Sequence, residues 1–334
     1  MATEGRVAIP MEKEPRAMRC RLLVLCHALA ALTLGSSPLA SEPKPAEAAK
    51  AAASKLGFVA DGKEFRFDTG VLRGVLRAQG RSAGLAPMID AASGAVLSGG
   101  LGLFSHYRLL DANERYGGGA WDFPSQASLR DDGAVAAVWS GESGLPFEMT
   151  ATYRWHAPNT LDLVTTVTAR KDLQRLEVFL ASYFNGFAES LVYVKGSPET
   201  SGKPGLMPAV RSRGDWQMFP RDDAAVKIIQ DGRWKRPPHP VDWSIMPTLA
   251  GPLAVRRDAA TGLTALVMAP PSDCFAVATP YGEEGHRSLY LSLFGRDLKA
   301  GQTATARSRL VIGRDISDGQ AVAIYEAYAK EAAR

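Results

Sequence analysis

Short runs in which apolar and polar residues alternate dominate the chain from Phe58 onwards, and Gly, Pro, Asp and Asn separate them. In Phe147–His156 every odd-numbered residue is apolar and every even-numbered residue is polar. Because successive side chains of a strand point to opposite faces, this run predicts a strand with one buried and one wet face. A wet, concave sheet face is a surface on which a polymeric ligand can lie.

These runs predict an all-β fold, a large antiparallel β-sandwich. The turn Ala157–Asn159 joins Phe147–His156 to the next run, Thr160–Arg170, and so predicts a hairpin. The other runs used in this prediction include Glu64–Asp68, Val71–Gln79, Leu103–Leu110, Ala134–Trp139, Arg175–Phe184, Leu191–Lys195, Ala225–Gln230, Leu253–Arg257, Leu263–Ala269, Cys274–Ala278, Arg287–Phe294 and Thr303–Ile312.

One helix is predicted, at the end of the chain. Ser317 is a helix-capping residue type, and Gln320 completes a capping box. The apolar residues Ala321, Ile324, Tyr325 and Tyr328 follow at helical spacing. We expect this helix to cover an edge or one end of the sandwich.

The segment Gly186–Pro252 shows little periodicity outside Ala225–Gln230, and it contains Trp216, Trp234 and Trp243. A long irregular segment within a compact domain is typical of a functional loop or of disorder. The three indoles favour an ordered functional loop.

The first 40 residues have the pattern of a secretory signal: basic residues precede the apolar run Leu22–Leu34. The alternative, a membrane anchor, requires about 20 apolar residues, and this run is shorter. We therefore expect export to the periplasm or cell exterior, with no stable membrane insertion after cleavage. Residues 41–57, rich in Ala, Pro and Lys, are predicted to be a spacer, and residues 58–334 a single sandwich domain.

Charge and the cysteine and histidine content exclude several classes of partner and site. Residues 1–40 hold five of the 39 Lys and Arg and three of the 35 Asp and Glu, so the remainder carries +2. With no dense basic stripe, nucleic acid is not an expected partner. Cys274 is the one cysteine after the predicted signal and indicates a buried structural thiol. No pair of histidines has metal-ligand spacing and no nucleotide fingerprint occurs, so no cofactor is predicted.

Tryptophan and aspartate are neighbours at three places, in Trp121–Asp122, Asp215–Trp216 and Asp242–Trp243. An indole packs against the C–H face of a pyranose while charged groups bind its hydroxyls, so this pattern indicates a sugar site. Some tryptophans in a sandwich belong to the core, and we expect one or two of the site candidates to do so. The arginines that suit uronate or sulfate are Arg213, Arg221, Arg233 and Arg236.

The strand Leu103–Leu110 offers a histidine candidate. Alternation places Phe104, His106 and Arg108 on one face, which resembles a site, although a plain polar strand end fits as well. A second candidate is the turn before His286, where Glu283 and Glu284 can present carboxylates beside the imidazole. The alternative there is a solvated surface turn.

The segment Thr160–Phe187, which ends in Tyr183-Phe184-Asn185, resembles the galactose mutarotase-like β-sandwich proteins, in which two strands lead into His-x-Tyr-Phe-Asn. The turn Arg296–Gln302 before the last strand is similar to that family's as well. The resemblance implies a supersandwich fold and a sugar site near Tyr183 and Asn185. Ala181 stands where the family has a histidine, and Tyr116 precedes three glycines where an epimerase has another, which argues against sugar 1-epimerase activity.

The sequence therefore predicts an exported carbohydrate-binding protein without classical epimerase catalysis. One alternative is a lyase or hydrolase of an acidic glycan, with His106 or Tyr183 as acid and base and Glu283 or Asp122 assisting. Another is a non-catalytic surface or assembly protein, and the oligomeric state stays open. The predicted substrate-binding residues are His106, Arg108, Trp121, Asp122, Tyr183, Asn185, Trp216, Trp234 and Trp243.

Overall fold

The computed structural model describes residues 56–334, so the predicted signal (1–40) and most of the predicted spacer (41–55) lie outside the described residues. Twenty strands and two α-helices are present in this range. They are β1 (Val59–Asp61), β2 (Glu64–Asp68), β3 (Leu72–Arg77), β4 (Gly84–Asp90), β5 (Ser105–Leu110), β6 (Arg115–Tyr116), β7 (Gln126–Leu129), β8 (Val135–Trp139), β9 (Phe147–Ala157), β10 (Thr160–Ala169), β11 (Leu173–Tyr183), β12 (Glu189–Val194), β13 (Gly205–Pro208), β14 (Trp216–Pro220), α1 (Asp223–Ile229), β15 (Ser244–Ile245), β16 (Leu249–Asp258), β17 (Leu263–Met268), β18 (Cys274–Pro280), β19 (Ser288–Leu298), β20 (Thr303–Arg314) and α2 (Asp318–Ala332).

The strands form three sheets. A four-stranded sheet has the order β1-β2-β3-β4, a nine-stranded sheet β13-β12-β16-β17-β20-β10-β9-β8-β7, and a seven-stranded sheet β15-β14-β18-β19-β11-β5-β6. Among the described strands, neighbours pair antiparallel except β14 and β15, which are parallel. The predicted all-β antiparallel sandwich with a C-terminal helix is confirmed.

The main core lies between the sheets and follows the predicted alternation. In β10, Leu163 and Val167 are buried in this core, and Val178 and Leu180 of β11 belong to the same cluster. The predicted hairpin of β9 and β10 forms, with a register shift beside the turn at Thr160. The even-numbered side chains of β9 are exposed or half-buried, as predicted for a wet face. The cleft that forms the candidate site lies instead on the seven-stranded sheet.

Helix α2 covers the outer face of the nine-stranded sheet. Ser317 and Gln320 form the predicted capping box. Tyr325 and Tyr328 pack in one apolar cluster with Leu253 of β16 and other strand residues of that sheet. The helix contacts the edge strand β13 as well as β16, in keeping with the expectation that it covers an edge, and the strands beneath it carry apolar side chains on their outer face too.

The predicted strand at Ala225–Gln230 is instead the helix α1, which ends at Ile229. The side chain of Asp222 accepts a hydrogen bond from the backbone N–H of Ala225, and this cap favours a helix. A short apolar run fits either structure, so its periodicity did not decide the assignment. The segment Gly186–Pro252 is also more regular than predicted, since it includes β12 to β15.

Within the described range, no helix combines the length and the apolar character that crossing a membrane requires. The Cys274 side chain is fully buried, and burial raises the pKa of its thiol to about 12. A buried, protonated thiol of this kind is inert, in keeping with the predicted structural role.

Candidate functional site

A cleft of about 680 Å³ opens on the outer face of the seven-stranded sheet. Its volume is in the range of small-molecule sites. The sheet supplies the floor, and residues 211–216 and 233–243, the turn at 120–122 and the loop at 281–287 supply the walls. The lining residues are Leu101, Tyr107, Arg108, Trp121, Phe179, Tyr183, Asp215, Trp216, Trp234, His239, Pro240, Val241, Asp242, Trp243, His286 and Tyr290.

A β-bulge in β5 decides which of its side chains reach the cleft. In the pairing of β5 with β11, Leu109 lies opposite Val178 and His106 opposite Leu180, so Tyr107 and Arg108 together oppose Phe179. An extra residue of this kind interrupts the alternation of faces. Tyr107 and Arg108 both line the cleft, whereas His106 points to the core. The prediction that His106 and Arg108 share a face is therefore wrong.

His106 is sealed between the two large sheets. Its Nε2 lies 2.9 Å from Thr165 Oγ1 of β10, and its ring is 5.3 Å from the ring of Trp139. Burial lowers the pKa of His106 to about 3, so the imidazole is neutral at physiological pH. His106 does not line the cleft and cannot serve there as a base.

The floor is aromatic and comes mainly from β11 and β19. Phe179 and Tyr183 project from the face of β11 opposite to the core, and Tyr290 of β19 stacks on Phe179 at 4.6 Å. Burial and a hydrogen bond with Tyr290 raise the pKa of Tyr183 far above its ordinary value. Burial likewise raises the pKa of Tyr290 to about 12. Ala181 lies on the same face between Phe179 and Tyr183, so a histidine at this position would face the cleft.

Three of the predicted tryptophans form one wall. The rings of Trp216 and Trp243 lie 6.0 Å apart at 90°, and those of Trp243 and Trp234 lie 5.2 Å apart at 86°. Trp216 and Trp243 are half-buried, whereas Trp234 is 2% exposed and packs edge-on against Phe179. The wall thus combines two accessible indoles with one that anchors them to the floor.

A buried ion-pair network fixes the tryptophan wall. Arg233, which precedes Trp234, is fully buried and donates from Nη1 to Glu177 Oε2 of β11 at 3.0 Å. Its Nε and Nη2 also donate to the carboxylate of Asp231 at 3.0 and 2.9 Å. Because a buried charge without a partner is strongly unfavourable, this pairing holds the segment around Trp234 in one position.

Trp121 completes the opposite wall. Its ring stacks on Tyr107 at 4.9 Å with only 13° between the planes. Its neighbour Asp122 is exposed and does not line the cleft. Asp122 Oδ2 instead accepts the backbone N–H of Gly118 at 2.7 Å, which fixes the glycine loop beside the cleft.

The loop at 281–287 places an imidazole at the cleft. His286 Nδ1 lies 2.8 Å from Glu284 Oε1, and its ring is 5.4 Å from that of Trp216. This carboxylate orients the ring, as in acid–base pairs. Glu283 is exposed and is absent from the residues that line the cleft. Of the two carboxylates predicted here, Glu284 is therefore the one that binds the imidazole.

Asn185 lies outside the cleft as well. It is exposed, and its Nδ2 donates to the carbonyl of Val96 at 3.0 Å. The backbone N–H of Asn185 donates to the carbonyl of Leu97 at 2.8 Å. Asn185 thus fastens the 96–97 segment to the end of β11.

The structure brings six of the nine predicted binding residues together and leaves His106, Asp122 and Asn185 elsewhere. The six are Arg108, Trp121, Tyr183, Trp216, Trp234 and Trp243. Sequence reasoning missed Tyr107, Phe179 and Tyr290 because each reads as a core residue. For Phe179 one signal exists: Val178–Phe184 is apolar at almost every position, which is typical of a strand covered on both faces.

Neither a protein-family model nor a curated protein matches this chain. Among solved structures, it is similar to a putative aldose 1-epimerase from Escherichia coli K12, at 12% identity over 77% of this chain and 100% of that chain, with a TM-score of 0.46. A quadruple mutant of α-N-acetylgalactosaminidase NagBb from Bifidobacterium bifidum is similar at 13% identity over 83% of this chain and 39% of that chain (TM-score 0.47).

A mutant of heparan sulfate lyase HepC from Pedobacter heparinus is similar at 8% identity over 78% of this chain and 36% of that chain, with a TM-score of 0.39. The matched structures thus include an aldose 1-epimerase-like protein, the group indicated by the sequence resemblance.

Proposed function

We propose that the protein binds a carbohydrate in this cleft and is not a classical sugar epimerase. The observation that carries the proposal is the convergence of Trp121, Trp216, Trp234 and Trp243 on one cleft of about 680 Å³. Half-buried indoles offer flat apolar surfaces to the C–H faces of sugar rings. Proposed export of the protein, which rests on residues 1–40 alone, is compatible with such a ligand.

The polar groups at the cleft suit the hydroxyls of a sugar. Asp215, Asp242 and the imidazole of His286 lie beside the tryptophan wall, and Tyr183 supplies a hydroxyl to the floor. A mostly apolar cleft with a few polar groups is typical of a ligand site. Epimerase catalysis is not proposed because Ala181 offers no proton-transfer group on the cleft face and His106 lies in the core.

A second candidate function is cleavage of a glycan, and the pairing of His286 with Glu284 favours it. An oriented imidazole at a cleft can transfer protons to or from a bound substrate. In that case His286 takes the acid–base role that the sequence assigned to His106. Release of new reducing ends from an oligosaccharide, and its loss in His286→Gln, would support this function.

The binding proposal predicts ligand-dependent thermal stabilisation. We expect at least one oligosaccharide from a panel of neutral, uronic and sulfated types to raise the melting temperature. At 100 times the dissociation constant, a ligand stabilises a protein by about 2.7 kcal/mol. The Trp243→Ala variant should weaken binding at least tenfold, because it removes an accessible indole.

Two matched variants serve as controls for that experiment. Trp243→Phe keeps an aromatic ring and should retain most of the affinity. Val59→Ala changes an exposed residue of β1, outside the cleft, and should bind like the unaltered protein. If no oligosaccharide shifts the melting temperature, or if Trp243→Ala binds as tightly as Trp243→Phe, the proposal is wrong.

A further inference from the structure

The cleft floor contains a cation, Arg108, that has no ionic partner among residues 56–334. Arg108 is 4% exposed, and its guanidinium lies between the ring of Tyr107 at 5.1 Å and that of Trp234 at 5.0 Å. The bulge in β5 places this side chain on the cleft face. Arg108 is therefore held at the bottom of the aromatic cleft, where it contacts a ring on each side.

The hydrogen-bonding capacity of Arg108 is mostly unused. Its Nη2 donates to the carbonyl of His239 at 2.8 Å. Among residues 56–334, no acceptor lies within hydrogen-bonding distance of its Nε or Nη1. A guanidinium has five N–H groups, and burying them without acceptors is costly. A site built this way favours a ligand that supplies both acceptors and negative charge.

The carboxylates at the cleft do not neutralise this cation. Asp215 and Asp242 are both largely exposed. Asp215 lies 3.5 Å from Arg211, and Asp242 pairs with Lys235. The negative charges of the cleft thus lie at its rim with partners of their own.

The four arginines that the sequence suggested for anion binding are otherwise engaged in the structure. Arg213 pairs with Glu199, Arg221 with Asp222, and Arg233 with Glu177 and Asp231, while Arg236 donates to the carbonyls of Asp111 and Ala112. Arg256, a further buried arginine without a carboxylate, lies outside the cleft lining and donates to the carbonyls of Phe187, Gly282 and Ser288. Arg108 differs from all of these in lining the cleft with unused donors.

We propose that the cleft selects a sugar that carries an anionic substituent, a carboxylate or a sulfate, and that Arg108 binds this group. This inference rests on the proposed carbohydrate binding. Guanidinium groups match both oxyanions in geometry and charge. The surrounding apolar rings exclude water and strengthen the attraction.

Access to the guanidinium involves the segment at 236–239. Nε and Nη1 are shielded from solvent, so an oxyanion reaches them when Arg108 turns towards the cleft and releases the His239 carbonyl. Arg115 also donates to the carbonyl of Pro238, which holds the segment in place without Arg108. The exchange replaces a neutral acceptor with an anion, which adds Coulomb attraction and allows a bidentate pair.

Paired oligosaccharides that differ only in charge test this proposal. One pair is a β-1,4-mannuronate tetrasaccharide and mannotetraose, and the other is a κ-carrageenan tetrasaccharide and its desulfated form. We expect the anionic member of at least one pair to bind at least tenfold more tightly by calorimetry. The pair that shows this difference identifies the carboxylate or the sulfate as the group that is bound.

Variants of Arg108 connect that selectivity to this residue. In Arg108→Gln the affinity ratio between anionic and neutral members should fall to about one, and Arg108→Lys should keep an intermediate ratio. Should Arg108→Gln fail to fold, Arg108→Lys and the salt dependence of binding by the unaltered protein still test the proposal. Affinity for the anionic member should fall as salt rises, because screening weakens charge attraction.

The outcomes separate this inference from the proposed function. Equal binding of both members of each pair overturns the anion selectivity and leaves carbohydrate binding standing. An unchanged ratio in Arg108→Gln also overturns the role of Arg108. Binding of no oligosaccharide contradicts the proposed function itself, and the anion selectivity with it.

Discussion

The two large sheets both bury an apolar cluster on their outer faces, and they differ in the chain that covers it. On the nine-stranded sheet, helix α2 packs Tyr325 and Tyr328 against the strands in regular helical spacing. On the seven-stranded sheet, the residues that follow α1 cover the strands irregularly with Trp234 and Trp243. Helix α2 covers its sheet face without leaving a cleft, whereas the irregular segment after α1 leaves the aromatic cleft open.

The difference shows how irregular chain can be held over a sheet. A helix satisfies its own backbone hydrogen bonds and needs only an apolar face. The irregular segment is held by individual side-chain bonds, such as those from Arg233 to Glu177 and from Arg115 to Pro238. Such anchors leave room between them for polar and aromatic groups. One face thus contributes stability, and the other combines stability with the proposed binding site.

Disrupting the ion-pair network of Arg233, which holds the segment over the seven-stranded sheet, should have the largest effect on stability. Arg233→Met leaves the Glu177 carboxylate buried and unpaired, which we expect to destabilise the protein by about 3–5 kcal/mol. Because Trp234 follows in sequence, oligosaccharide binding should weaken as well. Denaturant-induced unfolding and calorimetric titration measure the two effects.

A double variant provides the control for this anchor. Arg233→Met combined with Glu177→Leu removes the fully buried pair, while Asp231 keeps its ion pair with Arg175 at 3.4 Å. The double variant should recover much of the lost stability, since replacing a buried ion pair by apolar groups is often neutral. If the double variant is as unstable as Arg233→Met, the loss does not come from the unpaired carboxylate.

Substitutions in helix α2, which covers the nine-stranded sheet, should change stability without changing oligosaccharide affinity. Tyr325→Ala removes a buried ring that lies directly over Gly251 of β16, and we expect a loss of about 3 kcal/mol or more. Oligosaccharide affinity, measured at a temperature where the variant is folded, should stay within twofold of the unaltered protein. A large change in affinity would mean that the two faces are coupled and would end the proposed division between them.

The burial of His106 in the core predicts that the stability of the protein depends on pH. Burial lowers its pKa to about 3 in the folded protein, whereas the unfolded chain takes up the proton near pH 6.5. Stability from this residue is therefore complete above pH 6.5 and falls as the pH drops towards 3, by about 1.4 kcal/mol per pH unit.

This slope can be measured between pH 6 and pH 5, above the range in which carboxylates ordinarily titrate. Denaturant midpoints in this window should fall with pH in the unaltered protein and much less in His106→Gln. Equal slopes in the two proteins would show that the His106 imidazole is not sealed in the core.

Local patterns predicted much of this fold. The alternation in β9 and β10 predicted a hairpin because each strand has one buried and one wet face, and Ser317 with Gln320 predicted the start of α2. Ala225–Gln230 was misassigned since a short apolar run fits a helix or a strand equally well.

The site was predictable by residue type but not by position. The tryptophans were found because Trp beside Asp is a recognisable pattern for sugar binding. Nothing in the sequence around His106 indicates the bulge in β5, so the alternation of side chains predicted the wrong face for that residue. Phe179 and Tyr290 were missed because only the covering segment, far away in sequence, turns their face of the sheet into a cleft floor.

If the indoles of the cleft contact the ligand, their NMR signals report it directly. The protein has six tryptophans, of which Trp139 and Trp155 lie in the main core. During titration with the best-stabilising oligosaccharide, we expect the indole N–H signals of Trp121, Trp216, Trp234 and Trp243 to shift and the two core signals to stay. Shifts of the core signals without the cleft signals, or no shifts at saturating oligosaccharide, would contradict the account.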